Sequence, residues 1–125
     1  MYKEIKIDGQ AVSLLANGAT AIRYNQVFKR DLFVEITRTT KDDTSEGGDL
    51  IELATRLAFI MHKQAEAFKK QEPVLISQDD FLPWLETFES GMGFANAASK
   101  IIEVYLANGQ KKSTPKKAPG RPNAK

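Results

Sequence analysis

The chain has 125 residues, of which 42% are hydrophobic, and it contains no cysteine. This length and apolar content predict one domain with a single core, and the lack of cysteine excludes disulfide bonds and thiolate metal sites. The net charge of +2 is unevenly distributed, because residues 1–109 carry 12 basic and 16 acidic side chains whereas residues 110–125 carry six basic and no acidic ones.

A β-hairpin is predicted at the N-terminus. Two short runs containing apolar residues, at 2–7 and 11–15, are separated by Asp8-Gly9. This dipeptide between such runs is typical of a two-residue type I′ turn, which needs positive φ at both positions.

Two short helices are predicted next. Thr20 and Asp31 are suited to cap them, because their side-chain oxygens can accept hydrogen bonds from first-turn amides. The polar segment 41–48 shows no periodicity and is predicted to be a surface loop, which Asp49 closes as an N-cap. We expect these apolar side chains to face inward: Ile22, Val27 and Phe28 in the first helix, and Leu32, Phe33 and Ile36 in the second.

A long helix is predicted across residues 50–68, where apolar residues recur at steps of three and four. Glu52 with Arg56, and Glu66 with Lys70, are oppositely charged pairs four residues apart, and they indicate a solvated outer face. The residues expected on the core-facing side are Leu50, Leu53, Ala54, Leu57, Ile60, Met61, Ala65 and Phe68.

The segment Gln71-Glu72-Pro73 is predicted to end this helix. Ser77 and Asp80 form a capping pattern for the next one. That helix must be short or begin near Asp80, because Pro83 lacks an amide hydrogen and is tolerated only in the first turn.

A last helix is expected to end at Asn108-Gly109. Residues 110–125 contain three prolines and no apolar anchor, so we expect a disordered basic tail. The predicted fold class is therefore mainly α, with a helical domain at 1–109 that includes the N-terminal hairpin. The inward residues expected in the last helix are Phe94, Ala97, Ala98, Ile101, Ile102, Tyr105 and Leu106.

Residues that could carry chemistry are few. His62 is the single histidine, and between Met61 and Lys63 on a helix it is interpreted as structural or exposed. Asp79-Asp80 is interpreted as a helix cap, and the acidic loop with Asp42, Asp43 and Glu46 lacks the spacing of a dedicated calcium site. Gly91 and Gly93 form a GxG sequence. A phosphate-binding loop of this kind follows a β-strand, and no strand is predicted before these glycines. We therefore expect that the chain is not an enzyme and that it binds no cofactor and no metal ion.

Membrane association is not expected, because no window approaches the roughly 18 apolar residues of a membrane helix and the first residues lack the apolar run of a signal peptide. The basic tail offers one alternative function. Pro119-Gly120-Arg121-Pro122 among lysines is similar to the core of an AT-hook, which inserts arginine into the minor groove of DNA. A solvated tail is the more common interpretation of such a segment, so nucleic acid is not the expected partner.

Aromatic residues are dense between positions 81 and 94. At helical spacing such a set is typical of a core, and the alternative is an exposed patch at the glycine-rich joint that would bind a partner. The residues we consider as partner-binding candidates are Trp84, Phe88, Met92, Phe94 and Tyr105.

Four segments in this order resemble the tail assembly chaperones of long-tailed phages and prophages of Gram-positive bacteria. They are ATAIRYNQVFKRDL at 19–32, LIELATRLAFIMHKQAE at 50–66, DFLPWLETFE at 80–89 and IIEVYLANGQKK at 101–112. The resemblance spans most of residues 1–112, and it lies in the order and spacing of the segments together with the short basic tail.

This resemblance implies a protein that binds the tape measure protein, keeps it soluble, and promotes polymerisation of the major tail tube protein around it. It also implies self-association, action in the host bacterial cytoplasm, and absence from the mature virion. In many family members a programmed frameshift adds a second domain, and the lysine pairs Lys111-Lys112 and Lys116-Lys117 are possible slip sites. The alternatives are a nucleic-acid-binding regulator that uses the basic C-terminal segment, and a small structural subunit of the phage tail or of the head-tail joint.

Overall fold

Five α-helices and one β-hairpin are formed by the residues that the computed structural model describes, which are 1–41 and 47–113. Side chains are described for residues 1–39 and 49–107. The elements in chain order are β1 (Tyr2–Ile7), β2 (Gln10–Leu15), α1 (Thr20–Phe28), α2 (Leu32–Lys41), α3 (Gly47–Lys70), a 3₁₀ turn (Gln78–Asp80), α4 (Phe81–Leu85) and α5 (Met92–Ser113). The predicted class, mainly helical with an N-terminal hairpin, is confirmed.

The hairpin has the predicted turn. Asp8 and Gly9 have φ values of 57° and 81°, as a type I′ turn requires. Strand β1 pairs antiparallel with β2, and the two strands pack against α5 and α3. The hairpin covers the core with four apolar side chains: Ile5, Ile7, Val12 and Leu14.

Helix α3 is the central element, since it contacts β2, α1, α2, α4 and α5. The predicted inward residues from Leu53 to Ala65 are buried, whereas Leu50 is half-buried and Phe68 is exposed. Ala58 and Phe59 are buried as well, because other elements pack on several sides of α3. The buried residues of this helix are therefore not confined to the predicted core-facing side.

The predicted cap of α1 is wrong. Thr20 is the first helical residue and is buried. Its hydroxyl accepts hydrogen bonds from the Asn17 amide and from the side chain of Gln64, each at 2.9 Å, so a long-range partner on α3 takes the oxygen that would cap the helix. Ile22, predicted inward, is exposed, and Tyr24 is buried in this helix together with Thr20.

Two of the predicted caps are confirmed. Asp31 and Ser77 each accept a hydrogen bond from a backbone amide two or three residues later, at 3.1 Å. Asp49 is not a cap, because α3 already begins at Gly47 and places the carboxylate in its first turn, where the helix dipole favours negative charge. Residues 42–46, and with them the calcium alternative, lie outside the described residues.

A buried ionic network joins α1, α2 and α3. Glu35 accepts hydrogen bonds from the hydroxyl of Tyr24, from Arg30 at 2.5 Å and from Arg56 at 3.4 Å. Arg56 also donates to the Tyr24 oxygen at 2.8 Å. The predicted Glu52–Arg56 pair is present at 3.9 Å, but Arg56 is largely buried, so the prediction that it lies on a solvated face is wrong.

The last two helices differ in how far the prediction holds. Helix α4 is five residues long with Pro83 near its start, as predicted. Helix α5 continues to Ser113 and so passes the predicted end at Gly109. One glycine costs a helix only about 1 kcal/mol, and the glutamine and lysines that follow are good helix formers. The rest of the predicted tail, residues 114–125, lies outside the described residues.

Candidate partner-binding groove

A groove forms where α4 ends and the chain turns toward α5. Helix α4 ends at Leu85. The chain then crosses residues 86–91 before α5 begins. The space between this crossing and α3 has a volume of about 250 Å³. The groove, called here the aromatic groove, is lined by Ile51, Thr55, Leu85, Phe88, Ser90, Gly91 and Phe94.

Trp84 is the hub of the aromatic rings beneath this groove. Its ring centroid lies 5.7 Å from that of Phe59, 5.1 Å from that of Phe88 and 5.7 Å from that of Phe94. Phe88 and Phe94 meet edge to face at 4.9 Å. Edge-to-face contacts at these distances are favourable beyond simple burial, so these rings form a packed apolar layer next to the groove.

The hairpin turn holds the rim of the groove in place. The amide of Ser90 donates to a carboxylate oxygen of Asp8 at 2.7 Å, and the side chain of Gln10 donates to the Thr87 carbonyl at 2.9 Å. A Cβ atom at Gly93 would lie 2.6 Å from the Asp8 amide nitrogen, which is closer than carbon and nitrogen can approach. Gly93, the second glycine of the GxG sequence, is therefore needed for the close packing of α5 against the hairpin turn.

The structure brings together three of the five partner-binding candidates. Phe88 and Phe94 are buried and line the groove, and Trp84 is half-buried beneath it. Met92 is exposed and follows the lining residue Gly91 directly. Tyr105 lies 11 residues after Phe94 on the same helix, about 16 Å away along the axis, and belongs to a different surface.

The candidates in the C-terminal region are only partly covered by the structure. Lys111 and Lys112 belong to α5, and their side chains are not among those described. Lys116, Lys117 and the AT-hook-like segment at 119–122 lie outside the described residues.

Several groove residues were not predicted from the sequence. Ile51 and Thr55 come from α3, and the Thr55 hydroxyl donates to the Ile51 carbonyl at 2.6 Å. Their spacing of four places them on one side of the helix, which was the available signal. Leu82, one turn before Leu85, is an exposed apolar residue of α4.

His62 has a structural position beside this cluster. Its Nδ1 lies 3.0 Å from the Ser13 carbonyl oxygen, and because a carbonyl only accepts, Nδ1 carries the hydrogen. The imidazole stacks on the Trp84 ring at 5.4 Å. Burial lowers the pKa of His62, and the hydrogen bond to Ser13 only partly opposes that shift. The histidine thus links β2, α3 and α4.

The aromatic groove suits apolar side chains, because hydrocarbon forms most of its wall and a few hydroxyl and backbone groups border it. Within the described ranges, no group of three His, Asp or Glu side chains is placed to hold a metal ion. No helix in the described part of the chain has the length and apolar character needed to cross a membrane. The chain matches no family model, no curated protein and no solved structure.

Proposed function

We propose that this chain is a phage tail assembly chaperone that binds the tape measure protein through the aromatic groove. The proposal rests on the resemblance of four segments, and the groove is where two of them meet. The segment 80–89 forms α4 and the wall at Phe88, and the segment 50–66 contributes Ile51 and Thr55.

The observation that supports the binding site is the apolar wall of the groove together with two exposed apolar residues that are close in sequence to it. Leu82 and Met92 are 65% and 63% exposed, and each is close in sequence to a residue that lines the groove. Two large apolar side chains beside an apolar concavity are typical of a surface that binds another protein. A long helical chain with apolar stripes could insert its side chains there.

In this function the chain keeps the tape measure protein soluble until major tail tube protein polymerises around it. It acts as a self-associating, non-enzymatic binding protein in the host bacterial cytoplasm and is not retained in the virion. A frameshifted longer form is part of the proposal. It requires adenine-rich codons at one of the lysine pairs and an overlapping downstream frame, and the coding DNA tests this directly.

Co-expression with tape measure protein tests the function and the groove together. The double substitution Leu82→Glu with Met92→Glu places charges on the rim, where burial against an apolar partner becomes costly. We expect the soluble fraction of tape measure protein to rise with the unaltered chain and to fall back with the double variant.

Leu75→Glu provides the matched control, because Leu75 is 84% exposed and lies outside the groove. It should preserve solubilisation. Tape measure protein that is equally soluble with and without the unaltered chain would contradict the proposed function. Equal loss with Leu75→Glu and the rim variant would contradict the aromatic groove as the binding site.

A further inference from the structure

Helix α2 buries Leu32, Ile36 and one carboxylate, and it exposes two other large apolar side chains. Its carboxylate, Glu35, is 4% exposed, whereas Phe33 and Val34 are 62% and 57% exposed. A surface helix normally buries its apolar residues and solvates its charged ones. The solvent side of α2 therefore carries two large apolar side chains beside Thr37 and Arg38.

The inward position of Glu35 is accounted for by its partners. Tyr24, Arg30 and Arg56 supply hydrogen bonds to it, which compensate the loss of water. On the exposed side, Phe33 and Val34 line an open concavity of about 380 Å³. We call this surface the outward face of α2, formed by Phe33, Val34, Thr37 and Arg38.

The apolar surface extends beyond α2 itself. The ring of Phe33 lies 6.4 Å from the ring of Tyr105, which is half-buried on α5. Two aromatic residues and a valine from two helices therefore border one surface. Aromatic side chains in such positions are common anchors of protein interfaces.

Two arginines lie near this surface and keep part of their side chains exposed. Arg30 and Arg38 approach the same Glu35 oxygen, at 2.5 Å and 4.0 Å, and about half of each side chain remains exposed. The four residues of the outward face include no acid. The adjacent Asp31 accepts a hydrogen bond from the Val34 amide at the start of α2.

We propose that the outward face of α2 binds an amphipathic helix of another protein, one whose apolar stripe is flanked by acidic residues. The exposed arginines complement such acids. A second copy docked symmetrically through the same face would instead bring the cations of both copies together. The face shares no residue with the aromatic groove, so this inference does not depend on the proposed function.

Two synthetic helical peptides of about 20 residues test the charge requirement with the full chain. They share one leucine stripe and differ only in their flanks, which are glutamate in one and lysine in the other. We expect the glutamate peptide to bind at least about tenfold more tightly, because the lysine flanks face Arg30 and Arg38. Its affinity should fall as salt is added.

Variants locate the peptide on the molecule. Phe33→Ser should weaken binding of the glutamate peptide at least about tenfold, as loss of a central aromatic anchor does. Arg38→Gln should weaken it about two- to fivefold, the range of an exposed ion pair. Ile22→Ser is the matched control, because Ile22 is 60% exposed on α1 outside this face, and it should leave the affinity unchanged.

Three results would overturn the inference: equal affinity for the two peptides, no binding of either, or equal weakening by Ile22→Ser and Phe33→Ser. Sedimentation identifies the rival occupant. A chain that self-associates, that becomes monomeric with Phe33→Ser and that binds neither peptide uses this face for a second copy. The co-expression test of the groove depends on Leu82 and Met92, so either proposal can fail without the other.

Discussion

At the scale of single residues, Glu35 shows how a buried charge is tolerated. Burial acts to raise the pKa of its carboxyl, but hydrogen bonds from Tyr24 and Arg30, together with the charge of Arg56, outweigh that effect and leave the pKa below its ordinary value. Burial and the hydrogen bond to Glu35 raise the pKa of Tyr24, so its hydroxyl keeps its proton and remains a donor.

Removing that hydroxyl tests the network. Tyr24→Phe takes a donor from Glu35 and an acceptor from the Nε of Arg56, so we expect the free energy of unfolding to fall by about 1–3 kcal/mol. Urea denaturation at neutral pH measures the change. The control is Tyr2→Phe, at an exposed ring on β1, which should change the free energy of unfolding by less than about 0.5 kcal/mol. Equal effects of the two variants would show that the hydrogen bonds of Tyr24 do not stabilise the fold.

At the scale of elements, the contact between the hairpin turn and α5 depends on the absence of one side chain. Gly93→Ala would place a Cβ atom 2.6 Å from the Asp8 amide nitrogen, so the turn and the helix must separate. Forced overpacking of this kind costs about 1–3 kcal/mol. We expect a lower urea midpoint for unfolding, and a loosened bond between Ser90 and Asp8 that faster hydrogen exchange at the Ser90 amide would reveal.

The neighbouring glycine is the control for this element. A Cβ atom at Gly91 meets no other atom within 4 Å, and alanine there restricts the unfolded chain, so Gly91→Ala should be neutral or slightly stabilising. If both alanine variants lowered stability equally, the effect would come from the backbone flexibility of the glycines and not from the close approach of Gly93 to Asp8.

At the scale of the whole molecule, His62 connects the hairpin, α3 and the aromatic cluster, so its protonation acts on overall stability. Burial, the largest influence, lowers its pKa below the ordinary 6.5, while Ser13 and Glu66 oppose the shift. An unfolded chain therefore binds the proton more readily than the folded one. The stability contributed by neutral His62 is complete above about pH 6.5 and is lost as pH falls through the folded pKa.

Comparison with His62→Gln isolates this effect from the carboxylates. Between about pH 7.5 and pH 5, the free energy of unfolding should fall more steeply for the unaltered chain than for the variant, because glutamine stays neutral. Urea titrations at several pH values provide the measurement. Parallel pH profiles would mean that the folded and unfolded chains bind the His62 proton equally.

The candidate site was predictable only in part. Trp84, Phe88 and Phe94 could be grouped from the sequence because they are close along the chain and share helical spacing. Ile51 and Thr55 complete the groove from α3, at least 29 residues before Trp84 in the sequence, and only the packing of α3 against α5 brings them there. Tyr105 was grouped with the others by residue type, and the length of α5 separates it from them.

The sequence by itself determined the local features of this protein. The Asp8-Gly9 turn, the helix end before Pro73 and the short helix around Pro83 follow from backbone geometry that neighbouring residues alone impose. Tertiary structure decided the orientation of α2, with Glu35 inward and Phe33 outward. Periodicity placed Leu32 and Ile36 inside correctly but cannot reveal the burial of Glu35, because a carboxylate becomes stable inside only when distant side chains, here Tyr24 and Arg56, supply the hydrogen bonds that water would otherwise provide.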